Sequence, residues 1–341
     1  MKTAGMTRVF FQTPAGPAQS WEGPALLGAV LRMFAPGPPA GWGESYALAA
    51  AADEADLVIF LESNYFKTRK YADLLRGMDA VRRWPEKCFT INTDDAPLPF
   101  LPGAYTSLPA RWLDERRAQA SCYLTGSPNP YCAEYAARRE TVPEWLFSFR
   151  GARSAPVRER LLAQGERLTR GVPAMIQASP GWFNHSEEEM RTYLDDILRS
   201  HFVICPRGQG TATHRVFEVM QLGRVPVILS DEWTPPHGPD WAACSIRIRE
   251  RAVASLRQRI LEREPAAAAM ARAARETWER WFSPERRLWI ILDALCALRR
   301  GRRAPESDFQ RQWDRRAFYR ANLGGIWERV ARRLKRCAKK R

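Results

Sequence analysis

The chain has 341 residues, of which 45% are hydrophobic and 27% charged. This is the composition of a soluble globular protein that is long enough for about two domains. The formal net charge of +15 is concentrated in residues 299–341, which contain 16 Arg and Lys but only four Asp and Glu. Because the rest of the chain is almost neutral and contains no known nucleic-acid-binding motif, this charge does not favour a nucleic-acid-binding protein.

Cysteine usage and hydropathy predict the compartment. The seven cysteines are dispersed, and none has the Cys-x-x-Cys or Cys/His spacing of a zinc site. Residues 1–21 lack the apolar stretch of a signal peptide, and no run of 18 or more apolar residues occurs. We therefore expect a cytoplasmic protein with free thiols, without a bound metal ion and without a membrane span.

The first part of the sequence predicts alternating strands and helices. Short apolar runs predict strands at residues 8–12, 56–61 and 87–92, and helical spacing predicts helices at residues 25–34 and 71–83. Strands that alternate with helices are typical of a parallel α/β sheet with right-handed crossovers.

A second alternation begins after a turn-rich stretch. Its predicted strands cover residues 145–150, 201–205 and 225–230. Its predicted helices cover residues 157–168, 186–200, 213–222, 266–282 and 284–300. Ser186 and Glu189 fit a capping box that opens the helix at 186–200. The sequence thus predicts an N-terminal domain over residues 1–143, a C-terminal domain over residues 144–304, and a basic helical tail over residues 305–341.

The segment after the strand at 201–205 has the features of an anion-binding loop. Gly208 and Gly210 let the backbone turn sharply and bring N–H groups close to an anion, and the helix that follows Thr213 adds partial positive charge. We expect Gly208, Gly210 and Thr213 to contact the donor. Arg207 can bind a diphosphate, and His214 can hydrogen-bond phosphate. The alternative is that the glycines only form turns and the charged side chains pair on the surface.

Three further residues extend this candidate site. Arg215 lies at the start of the helix and can also bind a diphosphate. Glu218 lies three residues later on the same helix face, where a carboxylate can accept the two hydroxyls of a ribose. Asp231 follows the strand at 225–230, at the end of the strand where open α/β sheets place ligand contacts.

The order of residues within 202–231 is more specific than a glycine loop, and it resembles the signature of exostosin-type glycosyltransferases (glycosyltransferase family 47). The matching residues are Phe202, Cys205, Pro206, Arg207, Gly208, Gly210, Arg215, Glu218, Gly223, Val225, Pro226, Val227, Ile228, Ser230 and Asp231. Asp240 and Trp241 also fit the pattern, and the resemblance is strong over residues 145–245. Residues 92–105 resemble the acceptor half of the same family.

The resemblance implies a GT-B architecture: α/β, with two Rossmann-like domains that face each other across a cleft and with C-terminal helices. It implies an inverting hexosyl- or glycuronosyltransferase that uses a nucleoside diphosphate-sugar, UDP-sugar favoured, and a glycan or lipid-linked glycan acceptor. No metal is expected, because arginines and helix dipoles neutralise the leaving diphosphate. In that frame Arg215 contacts phosphate or nucleobase, Glu218 binds the ribose, and Arg150 is a second phosphate-neutralising charge.

Inversion needs a base that takes the proton from the acceptor hydroxyl. Asp94 and Asp95 are the preferred candidates, since they follow a predicted strand and adjacent carboxylates raise one another's pKa. The alternative is a turn-forming role, which is common for Asp after a strand. Glu62, His185 and His214 are weaker candidates for the same role.

The basic tail has an amphipathic pattern. Ile326, Val330 and Leu334 recur every four residues, and arginines and lysines cover the remaining face. This pattern predicts either contact with an anionic membrane surface or packing of the helix on the body of the protein. Two other functions stay open at this point, a catalytically inactive nucleotide-sugar-binding protein and a basic nucleic-acid-binding protein.

Overall fold

The computed structural model describes residues 6–14, 23–63, 68–138, 141–179, 181 and 185–320. The chain divides into two compact units. Unit 1 comprises residues 1–124 and 285–341, and unit 2 comprises residues 125–284.

Unit 1 is built on a parallel sheet. Its strands are β1 (Thr7–Gln12), β2 (Tyr46–Leu48), β3 (Leu57–Glu62), β4 (Cys88–Asn92), β5 (Gly103–Tyr105) and β6 (Ala118–Ala120). They lie in the order β2-β1-β3-β4-β5-β6, and each neighbouring pair is parallel. Every residue of β3 and β4 is buried, as expected of central strands that are covered on both faces.

The helices of unit 1 come from both ends of the chain. Numbered along the whole chain, they are α1 (Gly23–Phe34), α2 (Arg69–Gly77), α3 (Asp79–Arg83), α12 (Arg287–Gly301), α13 (Glu306–Gln310) and α14 (Arg316–Arg320). The single helix predicted at residues 71–83 is wrong. It is divided into α2 and α3 because Met78 has the extended conformation, with φ −77° and ψ 130°.

Unit 2 has a second parallel sheet. Its strands are β7 (Trp145–Gly151), β8 (Ala174–Ala178), β9 (Ser200–Pro206), β10 (Val225–Leu229) and β11 (Ile246–Arg247), in the order β11-β10-β9-β7-β8. From β7 the chain goes to β8 on one side and then to β9 on the other. The crevice between β7 and β9 is therefore the topological switch point of this sheet.

The helices of unit 2 pack against this sheet. They are α4 (Cys132–Ala136), α5 (Pro156–Ala163), α6 (Gly165–Thr169), α7 (Glu187–Leu198), α8 (His214–Gln221), α9 (Trp241–Cys244), α10 (Leu256–Leu261) and α11 (Ala267–Trp281). The predicted capping box at Ser186 and Glu189 is confirmed. The helix predicted at 157–168 is instead α5 and α6, which meet at Gln164 (φ −102°, ψ 6°).

Unit 2 begins earlier than the domain predicted to start at residue 144. Residues 125–138 belong to it because their side chains bond to its helices. The Asn129 amide donates to the carbonyl of Met190 (3.0 Å), and the Tyr135 hydroxyl donates to Asp195 (3.2 Å). The turn-rich composition near residue 143 marks a loop within unit 2.

Unit 2 also ends earlier than the predicted domain end at residue 304. Helix α12 packs in unit 1, where the ring of Trp289 lies 5.0 Å from that of Phe34 and 5.8 Å from that of Tyr46. The described part of the predicted tail, up to residue 320, packs in unit 1 as well, because Trp313 is fully buried and lies 5.3 Å from Phe100. The predicted amphipathic helix around Ile326, Val330 and Leu334 lies outside the described residues.

The two parallel sheets with their helices confirm the predicted α/β class and the predicted two Rossmann-like domains. Each unit has its own apolar core, formed in unit 2 around Phe147, Phe149 and Phe202 and in unit 1 around Phe60, Tyr71 and Phe100.

Candidate functional site

A cavity of about 600 Å³ lies in unit 2 at the carboxyl end of β7, beside the switch point. We call it the switch-point cavity. Its walls come from the ends of β7 and β8, from α7 and from the first turns of α8. Ligands of open α/β sheets bind in this place, because the strand order reverses there and leaves a crevice between the flanking helices.

Arg215 is the most informative residue of the cavity wall. Its side chain is buried, with 8% of the residue exposed. The guanidinium donates to the backbone carbonyls of Arg150 (2.6 Å) and Ile204 (3.4 Å) and to the Tyr193 hydroxyl (3.3 Å). All three acceptors are neutral, and no carboxylate of the described residues lies within ion-pair distance of it. A buried charge without a counter-ion is costly in the absence of an anion.

The backbone beside Arg215 is shaped to admit its guanidinium. Gly151 ends β7, and a Cβ atom there would lie 3.1 Å from Nη2 of Arg215 and 3.1 Å from the Phe149 ring. The same guanidinium also lies over the Phe149 ring at 4.8 Å, a cation–π contact. A side chain at position 151 would therefore disturb the position of the cation.

Glu218 lies in the same wall, three residues after Arg215 on α8, and is 4% exposed. Its Oε1 accepts from the Ser127 hydroxyl at 2.5 Å, and its Oε2 accepts from the Tyr193 hydroxyl at 2.6 Å. These two donors hold the carboxylate in one orientation. A carboxylate oxygen has more than one lone pair, so both oxygens can still accept hydroxyl groups of a ligand.

Two further arginines line the cavity. Arg150 at the end of β7 forms an ion pair with Asp196, and burial raises the pKa of that carboxyl above its ordinary value despite the arginine. Arg158 on α5 donates to the carbonyls of Pro206 (3.1 Å) and Arg207 (3.0 Å) at the end of β9. The wall therefore carries three guanidiniums, of which Arg215 has no described carboxylate partner.

The structure does not bring the predicted glycine loop into the cavity wall. Arg158 reaches the carboxyl end of β9 instead, and a Cβ at Gly208 would lie 3.6 Å from its guanidinium. Gly210 is buried, and Thr213 precedes α8 in extended conformation without a side-chain cap hydrogen bond. The prediction that these three residues contact the donor thus finds no geometric support.

His214, Arg207 and Asp231 also point to other partners. The imidazole of His214 lies 3.0 Å from the Gly126 carbonyl, and burial lowers its pKa, which favours the neutral ring over a phosphate-binding cation. Arg207 forms an ion pair with Glu250 at 2.7 Å. Asp231 accepts the Glu250 backbone N–H at 3.0 Å and lines a separate cavity of unit 2.

The predicted base candidates lie at the carboxyl end of β4 in unit 1. Asp94 is 3% exposed and forms a closed turn with Asn92, whose amide donates to Asp94 Oδ2 at 3.2 Å. Asp95 next to it is exposed. Glu62 is 1% exposed and accepts from Tyr71, Thr90 and Asn92. Proton transfer by any of these carboxylates stays a prediction.

Sequence reasoning missed Arg158 and Tyr193 in the wall of the switch-point cavity, and it missed Ser127, which donates to Glu218. Ser127 lies in the turn-rich stretch before residue 143, and Arg158 and Tyr193 lie on α5 and α7 among other polar residues. No spacing rule separates them from exposed positions. His185, a weaker candidate for the base, does line the cavity, and its Nδ1 lies 3.7 Å from Glu189.

Other properties of the described residues bear on earlier expectations. Six cysteines are free thiols and all six are buried. Over the ranges described, no helix combines the length and apolar character needed to cross a bilayer. Those ranges also contain no cluster of three His, Cys, Asp or Glu side chains that could hold a metal ion.

Comparison with known proteins finds a family match that covers most of unit 2. Residues 124–263 match the family model of the Exostosin GT47 domain. The Exostosin-1 homolog of Caenorhabditis elegans is 34% identical over 74 residues, which is 21% of this chain and 19% of that protein. The chain thus spans about a fifth of the length of that relative.

Two solved structures are similar at low sequence identity. Anabaena HepE, in complex with UDP and glucose, is 11% identical with a TM-score of 0.40 over 86% of this chain and 99% of that one. WaaG, a glycosyltransferase involved in lipopolysaccharide biosynthesis, is 11% identical with a TM-score of 0.38 over 85% and 98%. The part of the chain that matches the Exostosin GT47 domain, residues 124–263, contains all the residues of the switch-point cavity described above, so the candidate site lies within the region of family similarity.

Proposed function

We propose that the chain transfers a sugar from a nucleoside diphosphate-sugar, UDP-sugar favoured, to a glycan or lipid-linked glycan, with inversion at the anomeric carbon. One observation carries the donor assignment. Arg215 is buried in the wall of the switch-point cavity with neutral acceptors only, beside the oriented carboxylate of Glu218. A diphosphate supplies the missing negative charge, and a ribose supplies hydroxyl donors for the carboxylate.

The roles of the cavity residues follow from their charge and position. Arg215, with Arg150 and Arg158 nearby, would stabilise the charge that develops on the diphosphate as the bond to the sugar breaks. Fixed guanidiniums can do this without a metal ion, so we propose metal-independent catalysis. Glu218 would fix the nucleoside by accepting its ribose hydroxyls.

The acceptor step requires a base and a new glycosidic bond. The acceptor hydroxyl oxygen attacks the anomeric carbon from the face opposite the diphosphate, loses its proton to the base, and the nucleoside diphosphate leaves. Asp94 and Asp95 are our first candidates for the base, because they lie at the carboxyl end of a strand. Replacement of each by Asn should abolish transfer and leave nucleotide binding intact.

Ligand-dependent melting tests the donor assignment first. The purified chain is melted with UDP, GDP, CDP and ADP and with their sugars, each with and without Mg²⁺. A nucleotide that binds only the folded state at saturation should raise Tm by several degrees. One nucleotide that stands out and needs no Mg²⁺ supports the proposal. No shift with any of them contradicts it.

Turnover distinguishes an enzyme from an inactive nucleotide-sugar-binding protein. Release of free nucleoside diphosphate from the preferred donor is followed over time with candidate glycans and with water as acceptor. We expect release that depends on an acceptor. Tight donor binding without release in any mixture would favour the inactive protein.

A further inference from the structure

Tyr193 on α7 lies between the two charged residues of the proposed donor site. Its hydroxyl donates to Glu218 Oε2 at 2.6 Å and accepts from Arg215 Nε at 3.3 Å. Burial, followed by the negative charge of Glu218, raises the pKa of Tyr193 well above its ordinary value. The phenol therefore keeps its proton, and a single neutral O–H separates a guanidinium from a carboxylate.

The spacing of the two charged residues would otherwise favour a direct ion pair. Arg215 and Glu218 are three residues apart on α8, and side chains with this spacing are neighbours on a helix surface. In the structure, Glu218 instead accepts from Tyr193 and Ser127, while Arg215 is directed at two backbone carbonyls and the same phenol. The separation thus depends on both partners of the carboxylate and on the ring beside it.

The ring of Tyr193 also fixes the cation. The Arg215 guanidinium carbon lies 5.1 Å from the centroid of the Tyr193 ring, and it also lies 4.8 Å from the centroid of the Phe149 ring. The aromatic contact persists without the hydroxyl, whereas the hydrogen bond to Glu218 does not. Tyr193→Phe therefore isolates the role of the O–H group.

A direct pair between Arg215 and Glu218 would weaken both proposed functions of the site. The carboxylate would neutralise the cation that is needed for the diphosphate, and the guanidinium would occupy oxygens that are needed for the ribose. A ligand would then have to break a buried ion pair before it could bind. The intervening phenol keeps both groups available.

We propose that Tyr193 is a positioning residue that holds Glu218 away from Arg215, so that the switch-point cavity can bind a nucleoside diphosphate. The inference rests on the proposed donor site but assigns a role that the donor site itself does not require. It predicts that loss of one hydroxyl reduces affinity for the diphosphate through Glu218, and not through loss of a contact to the ligand.

The test is a double-mutant cycle on the full chain, read by calorimetric titration. The ligands are the nucleoside diphosphate that the wild type binds best among UDP, GDP, CDP and ADP, and the corresponding nucleoside. Tyr193→Phe should weaken diphosphate binding about tenfold, the effect of losing a hydrogen bond to a charged group. Binding of the nucleoside should change less. In a Glu218→Gln background, Tyr193→Phe should change diphosphate affinity less than twofold, because no carboxylate is left to pair with Arg215.

Tyr135→Phe is the matched control. It removes a tyrosine hydrogen bond to a carboxylate, Asp195, in the same unit but outside the cavity wall. It should leave nucleotide affinity unchanged, and its Tm shows the stability cost of losing such a bond.

Three outcomes overturn the inference or its basis, and they are distinguishable. Absence of nucleotide binding by the wild type refutes the proposed donor site. Normal binding by both the wild type and Tyr193→Phe refutes the positioning role alone. A tenfold loss that persists in the Glu218→Gln background shows a general structural effect and also refutes it.

Discussion

Each unit has a buried glutamate near the carboxyl ends of its strands, Glu62 in unit 1 and Glu218 in unit 2. The two glutamates differ in their surroundings. Glu62 in unit 1 is 1% exposed and accepts from the hydroxyls of Tyr71 and Thr90 and from the amide of Asn92. Glu218 in unit 2 is 4% exposed and accepts from the hydroxyls of Tyr193 and Ser127. The hydrogen bonds are of the same kind, and each set includes a tyrosine.

The difference lies in what is next to each carboxylate. Glu218 forms part of the wall of a cavity of about 600 Å³ and has the guanidinium of Arg215 on the far side of a shared phenol. Glu62 lies with its donors between β3, β4 and α2, where they satisfy buried polar groups of the sheet. Burial and hydrogen bonding of a carboxylate therefore do not by themselves indicate a ligand site. The features that indicate one at Glu218 are the adjacent cavity and the Arg215 guanidinium, whose hydrogen-bond acceptors are all neutral.

The largest effect is expected at the cation. Arg215→Gln removes the buried charge while keeping a polar side chain, and it should weaken nucleoside diphosphate binding about 100-fold, since it removes charge-assisted hydrogen bonds to the ligand. Titration calorimetry measures this. Arg272→Gln, at an exposed position of α11, is the control and should bind like the wild type. If Arg215→Gln binds normally, the contrast between the two glutamates has no functional meaning.

At Glu62 the expected effect is on stability and not on ligand binding. Glu62→Ala removes the acceptor that Tyr71, Thr90 and Asn92 share, and the loss of a buried hydrogen-bond partner costs about 1–3 kcal/mol where no other acceptor replaces it. The melting temperature should fall by roughly 5 °C or more, while nucleotide affinity stays within twofold of the wild type. An unchanged Tm with loss of sugar transfer would make Glu62 the catalytic base and would contradict our structural role for it.

At Glu218 the predicted effect is on selectivity for ribose. Glu218→Gln keeps an acceptor oxygen for one of the two hydroxyls of Ser127 and Tyr193, presents an N–H donor to the other, and loses the charge that strengthens hydrogen bonds to ribose hydroxyls. We expect about tenfold weaker binding of the ribonucleoside diphosphate and a smaller loss for its 2′-deoxy analogue. Glu159→Gln, exposed on α5, serves as control. An equal loss for both nucleotides would place the ribose elsewhere.

The regular parts of the fold were predictable because the buried positions of strands and helices are occupied by apolar residues in recognisable patterns. The mostly apolar and buried strands β3, β4, β9 and β10 were located to within one or two residues, and the capping box at Ser186 indicated the start of α7. The three-residue strands β2, β5 and β6 were not, since so short a segment has no period. The return of α12 to unit 1 was missed because an apolar helix face does not specify which core it joins.

The candidate site was predictable only where one motif supplied the residues. Arg215 and Glu218 share one helix, so their spacing showed that they face the same way. The ion pair of Arg207 with Glu250 was not predictable, because Glu250 lies 43 residues away and only the fold brings the two together. Tyr193 was missed for the same reason, since its contacts are with α8 and not with its own helix.

A third buried glutamate, Glu306, has an arginine partner but does not line the switch-point cavity, so it shows what an arginine alone does to a buried carboxylate. Glu306 on α13 is 1% exposed and forms an ion pair with Arg117 in unit 1. Burial, only partly offset by Arg117, raises its pKa from 4.5 to about 7. The folded protein therefore binds this proton more tightly than the unfolded chain does. The contribution of protonated Glu306 to the free energy of unfolding is fully present below about pH 4.5 and is lost as the pH rises through 7.

Removing that carboxyl should change the pH dependence of stability and leave nucleotide binding as it is. Relative to the wild type, Glu306→Gln should melt at a higher temperature at pH 8 than at pH 5, by a few degrees at most, because the amide cannot ionise in its buried position. Glu54→Gln, at the exposed ion pair with Arg8, should run parallel to the wild type. A parallel profile for Glu306→Gln would mean that Arg117 compensates fully for burial. An arginine next to a buried glutamate would then be expected to form a compensated ion pair, as Arg117 does with Glu306. The proposed role of Arg215 would in that case depend on the cavity and on the Tyr193 phenol, which separates Arg215 from Glu218.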